Sequence, residues 1–177
     1  MTQTLSSEIV FKGRVFEVRK DSIAEDGIQY DREVITHNGS AVIVPVFDDN
    51  TIALVKQYRH AAGKFLLEVP AGSLDVDEEP EIGAARELEE EIGVVAEKLE
   101  QISEFYVSPG FLAEKMFVFL ATGLTETAQN LDPDEIVVVR RLSFETAGEM
   151  IQNGQIEDAK TIIGITLAAK SLGIQFS

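Results

Sequence analysis

The 177-residue chain has no cysteine and no tryptophan. Without thiols there is no disulfide framework, no thiolate metal site and no cysteine nucleophile. Basic residues are scarce. Fifteen Lys and Arg stand against 31 Asp and Glu, a formal charge of -16. That deficit argues against duplex binding and against docking on an anionic membrane, since both need basic patches. No apolar run approaches the roughly 20 residues of a membrane span. The opening residues MTQTLSSEIVFKGR lack the charged and apolar regions of a signal peptide. The expectation is a cytoplasmic protein with no nucleic-acid and no membrane partner. A small anionic ligand stays compatible with the acidity when a metal ion stands between ligand and carboxylates.

Hydrophobic periodicity and turn residues predict a β-rich chain with one central helix and a helical tail. Strands are expected within residues 9–36, around a turn at Glu25-Asp26-Gly27. Residues 41–47 and 51–58 read as a hairpin over Asp48-Asp49-Asn50. A short strand follows at 65–69, and further strands at 99–106, 115–122 and 135–142. Pro80 and Gly93 bracket a helix, and two more helices are expected at 144–153 and 158–172. The order suggests a mixed sheet covered by helices. Residues 1–40 read as an N-terminal antiparallel β arm, and residues 41–177 as the main domain.

The central helix raises a physical question. Residues 72–94, GSLDVDEEPEIGAARELEEEIGV, carry nine carboxylates. Glu87 and Glu91 lie four apart, a spacing at which like charges cost a few tenths of a kcal/mol. They also crowd the C-terminal half of the helix, where its dipole favours cations. On a helical wheel Ala84, Ala85, Leu88 and Ile92 form a buried stripe. Glu87, Glu90 and Glu91 fall together on the adjoining arc, with Arg86 beside Glu90. A hard divalent cation takes oxygen ligands of this kind and would turn repulsion into coordination.

The same residues carry a resemblance. Gly72, Glu78, Arg86, Glu87, Leu88, Glu90, Glu91, Gly93 and Val94 fill every fixed position of the Nudix box. The resemblance to the Nudix hydrolases runs from about Ala41 to the C-terminus. It implies an α/β/α sandwich on a mixed β-sheet, and Mg2+- or Mn2+-dependent hydrolysis of a nucleoside diphosphate linked to another group. It implies Glu87, Glu90, Glu91 and the Ala71 backbone carbonyl as metal ligands, with Glu90 and Glu91 also catalytic. Arg86 and Glu78 look structural by the same comparison.

The flanks are similar to the ADP-ribose pyrophosphatase subgroup. QYRHAAGKFLLEVPAGSLD, residues 57–75, supplies Arg59 and Glu68 as substrate-binding positions. Pro109 lies fifteen residues beyond Val94, as in that subgroup, and the SPGF segment, with Glu114 a little later, brings Ser108, Gly110 and Glu114 as substrate contacts. NLDPDEIVVVRRL, residues 130–142, resembles the subgroup's base-bearing loop. There Glu135 is the candidate general base, with Asp132 and Asp134 as neighbours. The resemblance and the β-rich arm together imply a homodimer. Phe16, Tyr30 and Tyr58 are candidates for stacking on the base of the ligand. His37 and His60 make no metal-ligand pair by spacing. The rival readings are hydrolysis of another nucleoside diphosphate sugar such as GDP-mannose, and a non-catalytic nucleotide-binding Nudix module.

Overall fold

The computed structural model describes residues 1–131 and 136–175. The chain begins with three antiparallel strands, β1 (Gln3–Lys12), β2 (Glu17–Glu25) and β3 (Ile28–Thr36), in that spatial order. They form a sheet of their own. It meets the rest of the chain at Ile35, which exchanges backbone hydrogen bonds with Phe111 and Ala113 at 2.7 and 2.9 Å.

The body holds two further sheets. One is ordered β7 (Ala71–Ser73), β4 (Ser40–Pro45), β9 (Lys115–Glu126), β8 (Val94–Tyr106). Its β4–β9 pair is parallel and its other pairs are antiparallel. The other sheet is ordered β10 (Val137–Ser143), β5 (Thr51–Arg59), β6 (Lys64–Glu68), all antiparallel. Among the described residues three α-helices cover the strands: α1 (Pro80–Ile92), α2 (Phe144–Gln152) and α3 (Ala159–Leu172).

Strand β4 is buried along its whole length because both of its faces are covered. This is why it reads as an unbroken apolar run. Ala41 and Ile43 join Leu74, Ala84, Leu88 and Phe119 in the layer under α1. Val42 and Val44 join Val118, Phe144, Ile165 and Ala168 in the layer under α2 and α3. Alternate residues of one strand therefore serve two cores, and helices lie on both sides of a mixed sheet. The α/β/α sandwich and the antiparallel N-terminal sheet are the expected architecture.

One expectation is corrected. Residues 41–47 and 51–58 do not form a hairpin. The turn itself closes, with Phe47 N–H donating to Thr51 O at 2.9 Å. Beyond it only Val46 and Ile52 bridge. Strand β4 already has β9 and β7 on its two edges, so β5 turns away to pair with β6 and β10. Alternation along a strand does not reveal which edge its neighbour takes.

Helices α2 and α3 start on side-chain caps. Ser143 Oγ accepts the Thr146 N–H at 3.1 Å, and Asp158 Oδ2 accepts the Thr161 N–H at 3.0 Å. Pro80 opens α1 and Gly93 closes it, the asymmetry expected for helix ends.

Candidate active site

The acidic helix is held by one guanidinium. Arg86 donates from Nη1 to Glu87 Oε1 at 2.6 Å and to Glu90 Oε2 at 3.0 Å. Its Nε and Nη2 reach the two oxygens of Glu78, each at 3.1 Å. Nη2 also lies 3.3 Å from the carbonyl of Ser73. Hydrogen bonds from a charged donor are worth about 1.5–3 kcal/mol, against a few tenths for the like-charge spacing. The local repulsion is therefore outweighed within the chain itself. The Glu78 hydrogen bonds come first among the causes that push the Arg86 pKa further up. The reciprocal bonds hold the Glu78 carboxyl below the usual carboxylate range. Glu78 also accepts the Asp75 N–H at 2.9 Å, which ties the loop before α1 to the helix.

The remaining carboxylates press on the strand that precedes the loop. Glu91 is only 2% exposed, and its Oε2 accepts the Ala71 N–H at 3.0 Å. Glu87 lies over Gly72. A Cβ placed there would stand 1.9 Å from Glu87 Oε1, so only glycine lets carboxylate and backbone approach this closely. Ala71 and Gly72 thus form a backbone edge facing Glu87 and Glu91.

This donor set suits a hard divalent cation. Every group is oxygen, three carboxylates share one helix arc, and Glu91 is buried. Among the described residues, no three carboxylate or imidazole groups are already gathered closely enough to hold an ion. Arg86 engages Glu87 and Glu90 in their place. The C-terminal end of α1 has no basic residue in its last turn. Its carbonyls are met from the chain beyond β9. Gly93 O accepts from Thr127 N and Glu90 O from Asn130 N, while the Gln129 side chain donates to Glu91 O.

Arg59 and Glu68 meet each other. Nε and Nη2 of Arg59 donate to the two oxygens of Glu68 at 2.8 and 2.7 Å. Glu68 is 1% exposed and also accepts from Lys160, which pairs with Asp158 at 3.0 Å. Burial alone would raise the Glu68 carboxyl, but the Arg59 hydrogen bonds and the Lys160 charge hold it below its ordinary value. The Thr161 hydroxyl accepts the Val69 N–H at 2.9 Å. The start of α3 is thereby bolted to the strand that leads into Ala71. Sequence reasoning missed Lys160. The Asp158…Thr161 capping pair marks a helix start and does not reveal a partner 92 residues earlier.

Ser108 and Gly110 lie in a turn in which the Ser108 carbonyl accepts from Phe111 and Leu112 N–H at 3.2 and 3.0 Å. This turn faces the N-terminal sheet across a cavity of about 490 Å3. Glu114 accepts from Ser40 Oγ at 2.8 Å, at the end of β4 that pairs with Ser73. His37 bridges the two loops. Its Nδ1 accepts the Gly39 N–H and lies 3.9 Å from Glu114, and its Nε2 lies 3.3 Å from Ser73 Oγ. Glu135, Asp134 and Asp132 lie outside the described residues. The aromatic candidates are dispersed. Phe16 packs against Phe11, Tyr30 lies beneath Arg32, and Tyr58 sits edge-on to Phe65 in the sheet of β5 and β6.

Comparison with known proteins agrees with this arrangement. The family described as "NUDIX domain" matches residues 37–163. The chain is 39% identical to the ADP-ribose pyrophosphatase of Bacillus subtilis over 166 residues, 92% of this chain and 90% of that one. It is 36% identical over the same shares to the methanol dehydrogenase activator of Bacillus methanolicus. A solved structure titled as an ADP compounds hydrolase superposes with a TM-score of 0.86 at 22% identity, covering 97% of this chain and 94% of that one.

Proposed function

The chain belongs to the Nudix family, and from that premise we propose that it is a metal-dependent ADP-ribose pyrophosphatase. It hydrolyses ADP-ribose to AMP and ribose 5-phosphate, with Mg2+ as the cation and Mn2+ as a substitute. The observation that carries this reading is the carboxylate face of α1 seated on the Ala71–Gly72 edge. The substrate assignment is further supported by the relative named for ADP-ribose.

In this proposal Glu87, Glu90, Glu91 and the Ala71 carbonyl would hold the cation. When bound there, a divalent ion would supply the charge that screens the pyrophosphate and leaving phosphate and would lower the pKa of a bound water. Glu135 is the general base, with Glu90 and Glu91 completing the catalytic carboxylates. Arg59 grips a phosphate through the edge of its fork turned away from Glu68. Glu68 acts through Arg59, because its own oxygens are already occupied. Ser108, Gly110 and Glu114 supply the loop that closes on the substrate.

Residues 1–40 form a dimerising arm and residues 41–177 the catalytic domain. Strand β1 is exposed throughout, with Leu5, Ile9, Val10 and Phe11 about half exposed. Such an edge invites pairing with a second copy. Light scattering that returns a monomer mass at working concentration would remove the dimer. No described helix is long and apolar enough to cross a membrane, and the proposed setting is the cytoplasm.

The test is product analysis by liquid chromatography. The protein is incubated with Mg2+ and, separately, ADP-ribose, GDP-mannose, UDP-glucose and NADH, with Glu91→Gln as control. AMP appearing fastest from ADP-ribose, and not with the variant, is the expected result. Faster turnover of another sugar nucleotide discards the substrate and keeps the chemistry. No turnover of any substrate returns the reading to a nucleotide-binding module.

A further inference from the structure

Three charged side chains run from the surface inward. Arg59 is 40% exposed, Glu68 is 1% exposed and Lys160 is 9% exposed. They come from three elements, β5, β6 and α3. Arg59 is the member that meets solvent, and Lys160 is the member that the chemistry above leaves unused.

Arg59 spends one edge of its guanidinium on Glu68, with Nε and Nη2 donating at 2.8 and 2.7 Å. The planar group carries five N–H donors, so this pairing leaves Nη1 and the outer proton of Nη2 for an anion. In such a side-on pair the carboxylate plane sets the plane of the guanidinium. The last torsion of a glutamate is broad, so Glu68 does not hold that plane unaided. Lys160 supplies the missing constraint. Its Nζ donates to Glu68 Oε2, the oxygen that also accepts from Arg59 Nη2.

Lys160 is itself anchored. Its ammonium lies 3.0 Å from Asp158 Oδ2. The same oxygen accepts the Thr161 N–H and hydroxyl at 3.0 and 2.6 Å. The Thr161 hydroxyl in turn accepts the Val69 N–H at 2.9 Å. Neighbouring residues of α3 therefore grip Glu68 and Val69, neighbours at the end of β6. The cap of the helix and the orientation of the carboxylate share one fixed point.

The charges decide how this cluster acts on an anion. Arg59 and Lys160 are positive and Glu68 and Asp158 negative, so the four sum to zero. Lys160 is also buried. Its effect on an anionic ligand is one of placement, with no net charge to attract from a distance.

We propose that Lys160 is a positioning residue for substrate binding: through Glu68 it fixes the plane of the Arg59 guanidinium and aims its free edge at the pyrophosphate. The inference rests on the reading of Arg59 as the residue that grips a phosphate. The start of α3, 92 residues beyond Glu68, then belongs to the site without touching the substrate.

The experiment is a double-mutant cycle of wild type, Arg59→Ala, Lys160→Met and the double variant, with Lys160→Arg and Lys64→Ala alongside. All are assayed with Mg2+ on the sugar nucleotide that wild type turns over fastest, at a temperature where circular dichroism shows each of them folded. Should Lys160→Met fail to fold, Lys160→Gln takes its place. Lys64→Ala breaks the exposed pair with Glu157, which also joins β6 to the chain entering α3, and reports general loosening there. Arg59→Ala is expected to raise KM about tenfold or more with kcat within about threefold, the signature of lost uniform binding. Lys160→Met should raise KM about fivefold or more, Lys160→Arg should recover part of it, and Lys64→Ala should match wild type. The double variant should have the KM of Arg59→Ala, because a residue that acts through Arg59 has nothing left to aim. A wild-type KM in Lys160→Met, an equal loss in Lys64→Ala, or losses that multiply in the double variant would overturn the proposal. An unchanged KM in Arg59→Ala would instead remove the reading of Arg59 beneath it.

Discussion

The guanidinium of Arg59 lies along the buried carboxylate of Glu68, donating to both of its oxygens at 2.8 and 2.7 Å. Lys160 donates to the same carboxylate from the start of α3. A carboxylate removed from water is costly unless its charge is paired and its oxygens are satisfied. Here two cations satisfy it, and the Glu68 hydrogen bonds lead the causes that push the Arg59 pKa further up, with the Glu91 charge adding to them.

Removing the central charge should therefore hurt more than removing one cation. Glu68→Gln leaves two cations around a neutral amide and is expected to cost about 3–5 kcal/mol, the range for breaking a buried pair. Lys160→Met keeps the Arg59–Glu68 fork and should cost less. Urea unfolding of the three proteins checks the order. An equal loss in both variants would show that Lys160 is as central as Glu68.

The same network gives a pH dependence. The folded Glu68 carboxyl sits below its ordinary value, so the unfolded chain takes up its proton first. Its contribution is complete above the unfolded value of about 4.3 and is lost as pH falls through the lower folded value. Melting temperatures of wild type and Glu68→Gln should differ most near neutral pH and converge in acid below about pH 4. A difference that widens with acidity would contradict the sign.

Gly72 tests the approach of Glu87. Gly72→Ala places a methyl group 1.9 Å from Glu87 Oε1, and the carboxylate must leave. Turnover should fall by about a hundredfold or more, the scale of a misplaced catalytic group. The fold should survive, because the strand already pairs through Val42 and Ala71. Circular dichroism and turnover on the same sample separate the two effects.

Arg86 tests the metal site without reference to activity. Arg86→Met removes the counter-charge of Glu78, Glu87 and Glu90. The metal-free variant should be less stable than wild type. Saturating Mg2+ should raise its melting temperature, since a ligand at about 100 times its Kd adds about 2.7 kcal/mol. Calorimetric titration with Mg2+ alone checks it. An absence of binding to wild type and variant alike would remove the metal from α1.

Much of this protein is local and therefore readable in the chain. The spacing of Glu87, Glu90 and Glu91 around Leu88 determines by itself that three carboxylates share one helix arc, because the helical period is a property of the backbone. Pro80, Gly93, Asp158 and Thr161 mark helix ends by the same local physics. The two-sided burial of residues 41–45 is visible as an unbroken apolar run.

Tertiary structure decided what depends on chain segments meeting. Strand β4 pairs with β9 and β7, which takes both of its edges, so β5 joins another sheet. Lys160 finds Glu68, and His37 finds Ser73 and Glu114, across separations that no periodicity records. Arg14 and Val15 border one groove with Gly72 and Glu87 only because the turn between β1 and β2 folds back toward the box loop. A residue's type and spacing declare the chemistry it carries. The partner that chemistry meets is set by packing, where burial of two cores outweighs any single polar contact.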